Sequence, residues 1–141
     1  MYKLVFNTLN SAIGDFFLYG KIGILGLESG EVIKIDFKNF SVKNFKNHKD
    51  RVYNVKFDGK NIISGGVDRK IFINSDEIKT NFLVYCVAIN DKIAAYCGEN
   101  EIFLVDKNIK NLGGKSSEFL EFLDKNLLFG ASGNKIFYWS F

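Results

Sequence analysis

Four stretches of this 141-residue chain repeat one layout: a turn carrying lysine, a short apolar strand, a small-residue turn with glycine, and a second strand rich in Val, Ile, Phe or Tyr. They occupy 20–36 (GKIGILGLESGEVIKID), 59–75 (GKNIISGGVDRKIFINS), 91–106 (DKIAAYCGENEIFLVD) and 124–140 (DKNLLFGASGNKIFYWS). With Val32, Ile71, Ile102 and Ile136 taken as equivalent, the successive spacings are 39, 31 and 34 residues. Such a period constrains the fold strongly, because each copy is a unit that cannot bury its apolar face alone and must stack on its neighbour.

Upstream of each stretch lies a further alternating strand, at 13–18, 52–57, 84–89 and 119–123. Downstream of the first three lies a more polar one, at 40–45, 78–81 and 109–112. Each unit therefore reads as a four-stranded antiparallel meander, strands a to d, with Asp-Gly, Gly-Gly and Asn-Asp turn chemistry. The segment 116–128, SSEFLEFLDKNLL, also fits a short amphipathic helix, and register with the other units favours a strand. Hydrophobic residues make up 47% of the chain and charged residues 25%, which excludes disorder and fits one packed domain. No apolar run approaches the ~20 residues of a spanning helix, and residues 1–10 lack a signal-peptide core. The expected location is cytoplasmic.

The second unit, NHKDRVYNVKFDGKNIISGGVDRKIFINS at 47–75, resembles a WD repeat. His48, Val52, Val55, Phe57, Gly59, Ser64, Gly65, Asp68 and Ile71 match the family pattern. Asn47, Asn74 and Ser75 stand where the family has Gly, Trp and Asp. Asp36 and Asp106 keep the final acid in other units, and Trp139 keeps the aromatic. The resemblance implies an all-β domain of WD-repeat-type propeller blades. About four four-stranded meanders are expected, at 11–46, 47–82, 83–115 and 116–141. The last unit stops after its third strand, and strand 2–6 is expected to complete it, within the chain or in trans. Four blades are fewer than this family's usual seven or eight. A two-fold ring of two copies is the preferred solution; pairing with a different half-propeller and a closed four-bladed ring are the alternatives.

By the same resemblance His48, the only histidine, forms a structural network with Asp68 and Ser64. A Ser-His-Asp triad is the catalytic alternative, but no Gly-x-Ser-x-Gly turn accompanies it, so no catalytic residues are expected. Gly114, Lys115 and Ser116 echo a phosphate loop, but Ile109 stands where its first glycine belongs. Gly20, Gly23 and Gly26 miss the dinucleotide spacing. Cys86 and Cys97 read as reduced core thiols on neighbouring strands, too few for a zinc site, so no cofactor or metal is expected. The loops before strand a and between strands b and c are the expected partner-binding rim, with Arg51, Tyr53, Arg69, Tyr85, Tyr96 and Glu99 as its candidates.

These readings point to a non-catalytic scaffold for protein–protein interactions. The expected partners are other proteins, together with a second copy of the chain or another half-propeller, and no membrane. The alternative is a nucleic-acid-associated module using the Lys-rich stretch 34–56, where seven basic residues face only Asp36 and Asp50. The competing reading of that stretch is an edge strand whose lysines prevent sheet-to-sheet aggregation.

Overall fold

A computed structural model describes residues 9–113 and 118–141. The expected closing strand at 2–6 and the Gly114, Lys115 and Ser116 segment lie outside them. Every regular element among the described residues is a β-strand. The first sheet comprises β1 (Ile13–Tyr19), β2 (Ile22–Leu27), β3 (Val32–Asp36) and β4 (Ser41–Phe45). The second comprises β5 (Val52–Phe57), β6 (Ile62–Gly66), β7 (Lys70–Ile73) and β8 (Asp76–Lys79). The third comprises β9 (Cys86–Asn90), β10 (Ile93–Cys97), β11 (Ile102–Val105) and β12 (Ile109–Asn111). The last has three strands, β13 (Phe119–Asp124), β14 (Leu127–Ser132) and β15 (Lys135–Ser140). Each sheet is a simple antiparallel meander in sequence order. Within the segment of helical periodicity, residues 119–124 form strand β13, because Leu120 and Phe122 must both face the third sheet, a period of two.

Several strand ends differ from the sequence reading, two of them by two residues at the start of a strand. Val84 lies outside β9 because its N–H bonds the Gly66 carbonyl of the second sheet, which stitches the two sheets together. Strand β8 begins at Asp76 because Asn74 adopts a left-handed backbone, φ 54°, and closes a two-residue turn opposite Ile73.

The sheets stack like blades, with the first strand of each against the first strand of the next: β1 on β5, β5 on β9, β9 on β13. Each junction has its own apolar cluster. Ile24 and Val32 of the first sheet meet Val52, Val55 and Phe57 of the second. Ile63 and Ile71 meet Val87, Ile89 and Tyr96 of the third. Cys86, Cys97, Ile102 and Leu104 meet Leu120, Phe122 and Leu128 of the last. Close approach needs small residues: a Cβ on Gly26 would strike Val52, and one on Gly65 would strike Val84.

A polar seam reinforces the inner strands. Asp15 Oδ2 accepts from the Val55 N–H at 2.9 Å and from Asn54 Nδ2 at 2.8 Å. Asn54 Oδ1 in turn accepts from the Val87 N–H at 2.9 Å. Asp15 and Asn54 occupy the same repeat position, opposite Gly26 and Gly65. One carboxylate and one amide thus satisfy N–H groups that the two inner strands β5 and β9 would otherwise leave unpaired.

Candidate functional site

The loop before β5 and the β6–β7 turn meet on one rim of the stacked sheets, and His48 joins them. Its Nδ1 lies 2.9 Å from Asp68 Oδ1, and its Nε2 lies 2.8 Å from Ser64 Oγ. A carboxylate only accepts, so Nδ1–H donates to Asp68 and Nε2 accepts the Ser64 hydroxyl. The Lys49 N–H donates to the other Asp68 oxygen at 3.2 Å. Burial pushes the His48 imidazole below its ordinary value of 6.5 although Asp68 pulls the other way, so the ring is neutral at pH 7. The His48 side chain is fully buried and Ser64 is 0% exposed, which leaves no approach for a substrate to the hydroxyl oxygen.

The chain of bonds stops at Ser64. Phe72, directly opposite Ser64, sets its ring edge-on to the imidazole at 4.8 Å. Asn74, at the family's Trp position, is used elsewhere: its amide bonds the Ile62 N–H and Asn61 Oδ1, and its carbonyl accepts from Asn47. It clamps the β5–β6 turn on the opposite rim.

Above the buried histidine the rim carries a continuous surface run. The Arg51 guanidinium sits 5.7 Å from the Tyr53 ring centroid and 3.7 Å from Glu28. Tyr53 stacks on Tyr85 at 5.3 Å, bridging the second and third sheets. The Tyr85 hydroxyl donates to Glu99 Oε1 at 3.4 Å. Burial first, and the Glu99 charge second, push the Tyr85 phenol above its ordinary value, so it remains a donor. Arg69, in the β6–β7 turn with φ 60°, lines a shallow cavity of about 300 Å³ with Asn81, Phe82, Leu83 and Glu99. A left-handed arginine costs roughly 1 kcal/mol where glycine would cost nothing, so the exposed side chain is retained against a local backbone penalty.

Tyr96 does not join this run. It holds in β10 the place that Ser64 holds in β6, opposite Phe103 and Val87, and its ring stacks on Phe103 at 5.2 Å inside the junction with the second sheet. Counted from the same repeat, Glu99 is the counterpart of Asp68. The third sheet has no histidine for it to hold, so the carboxylate reaches the surface tyrosine instead.

Cys86 and Cys97 are directly paired across β9 and β10, both buried, with their sulfurs 2.9 Å apart. The neighbouring Cys97 and burial push the Cys86 thiol far up. Among the described residues, no group of three His, Cys, Asp or Glu side chains is placed to hold a metal ion. The Lys-rich stretch is divided between surfaces. Lys43 lies on the outermost strand β4, whereas Lys56 points inward, 2.7 Å from Glu121 of the last sheet and 5.0 Å from the Phe17 ring.

The sequence reading missed Asp15, Asn54 and Glu31. The first two were detectable as the polar residue at one repeat position of an otherwise apolar strand. Glu31 gave no signal: its buried carboxylate accepts from Asn10, Ser29 and Asn44, and the Asn44 bond does most to hold it below its ordinary value of 4.5.

No protein-family model matches the sequence. No curated protein matches it either. Solved structures do. The computationally designed Ika4 protein is 16% identical with a TM-score of 0.79, over 99% of both chains. The designed Ika8 protein is 18% identical with a TM-score of 0.78, over 96% of this chain and 48% of the other. The β-propeller domain of Cps50 (Swd1) from Myceliophteria thermophila is 14% identical with a TM-score of 0.77, over 88% of this chain and 49% of the other. This chain therefore spans about half the length of the latter two. Likeness at such identities carries the fold, and the fold is that of β-propeller blades.

Proposed function

We propose that this chain is a non-catalytic scaffold of WD-repeat type whose rim, centred on Arg51, Tyr53, Tyr85 and Glu99, docks other proteins. The observation that carries this reading is the unbroken Arg-Tyr-Tyr-Glu run across two sheets, built from residue types that dominate binding energy at interfaces. The loop that carries Arg51 is anchored to the β6–β7 turn by His48 and Asp68, so little of its ordering entropy is lost on docking. His48 bonds Asp68 and Ser64 through the nitrogens a triad would use, but the burial of Ser64 and of the His48 side chain argues against one. The division of the basic stretch between the outer edge and the inner strands argues against a nucleic-acid track.

A photo-crosslinking amino acid placed singly at Tyr53, Tyr85 and Glu99, and at Ile109 on an outer strand as control, tests the proposal in cells. Specific adducts should concentrate at the rim positions and be lost on adding Arg51→Ala to the Tyr85 and Glu99 probes. Equal labelling at Ile109, or none at the rim, would overturn it.

A further inference from the structure

The geometry points to a ring made of two copies of this chain, in which the last sheet of each copy packs on the first sheet of the other. This goes beyond the rim reading and is independent of it.

Strand pairing defines equivalent positions in the four sheets. Val32, Ile71, Ile102 and Ile136 each lie opposite the residue that closes the second strand's contact face: Gly26, Gly65, Cys97 and Ala131. The first three are 0% exposed, because each packs on the following sheet, while Ile136 is 72% exposed. The receiving face shows the mirror pattern. Phe16, Val55, Val87 and Leu120 are equivalent on the first strands; the last three are 0–1% exposed and Phe16 is 62% exposed. One pleat further along, Leu18 is 61% exposed where its counterparts Phe57, Ile89 and Phe122 are buried. Of the fourteen large apolar side chains exposed among the described residues, seven lie in the first sheet or its β3–β4 turn, five in the last sheet or directly after it, and none in the second.

The two open faces are therefore the two halves of a contact that the chain already makes three times. The donor half, Ile136 with Tyr138, is at one end; the acceptor half, Phe16 with Leu18, is at the other. Ile33 and Ile35, on the acceptor face further out, are already buried with Leu9 and Leu25, so the incoming sheet meets β1. A second copy supplies both missing halves at once, and two such junctions close a ring under two-fold symmetry. The curvature agrees: this chain overlays about half of two solved chains roughly twice its length.

Light scattering and sedimentation of the purified chain give the test. The wild type should have a mass near twice 16.0 kDa. Phe16→Asp and Ile136→Asp should each give a folded single copy, with association weakened at least about 30-fold. An equimolar mixture of the two variants retains one intact junction, and should return to the two-copy mass. Tyr138→Lys provides a second donor-face variant should Ile136→Asp fail to fold, as judged by its unfolding transition. A single-copy wild type, a mass of three or more copies, or single variants that remain paired would each overturn the ring. So would folded variants that fail to recombine, since that is the behaviour of like faces pairing with like.

Discussion

The second sheet and the last sheet share a strand pairing and place isoleucine at the same position of their third strands, yet one is sealed and the other is open. Ile71 touches the third sheet and is inaccessible, whereas Ile136 faces solvent in the single copy. The second sheet also holds its rim with His48, Ser64 and Asp68; the last has no comparable polar network among the described residues. A residue in this fold thus acquires its energetic value from the sheet beyond it, not from its own strand.

Truncation at the two positions separates them most strongly. Ile71→Ala should destabilise by about 2–5 kcal/mol in urea unfolding, from lost transfer energy and the cavity left behind. Ile136→Ala in dilute protein should stay within about 0.5 kcal/mol of the parent. Equal losses would erase the contrast. Adding one methyl sharpens it: Gly65→Ala drives a Cβ into Val84 and to 3.0 Å from Val87, costing about 1–3 kcal/mol. The last sheet already carries Ala131 at that position without penalty.

The polar network gives the next effect. His48→Gln should cost about 1–3 kcal/mol, since Ser64 and Asp68 lose a shared partner. It should also remove a pH dependence. Because burial lowers the folded-state value of His48 below 6.5, the unfolded chain binds the proton more readily. The stabilisation is fully present above pH 6.5 and is lost as pH falls through the lower folded value. The Glu31 carboxylate, also depressed, follows the same sign but only below 4.5. Unfolding midpoints measured from about pH 8 to about pH 2 should fall in two stages, with the upper stage absent in His48→Gln. The smallest effect is expected at the rim: Tyr85→Phe removes one exposed hydrogen bond and should change stability by less than about 0.5 kcal/mol. A large loss there would mark Tyr85 as structural and weaken the docking proposal.

Much of this architecture was legible beforehand because its causes are local. Alternation of period two, Gly and Asn at turns, and the spacing of His48, Ser64 and Asp68 located the meanders and brought the network residues together. Arg51 before β5 and Glu99 in the β10–β11 turn were legible as surface positions, because both sit in turns between predicted strands. Tyr96 was not, because nothing in its neighbourhood says that its place in β10 is the counterpart of buried Ser64. The helix-like pattern of 116–128 misleads for a related reason: Leu and Phe suit either period, and only the third sheet lying against β13 selects one.

The sequence by itself determined the strands, their order within each meander and the equivalence of the four units, since these follow from backbone sterics and side-chain alternation over a few residues. Tertiary structure alone decided that Val55 and Ile71 are core while Phe16 and Ile136 are surface. Burial belongs to a pair of sheets, and the four sheets of the described residues meet at only three junctions.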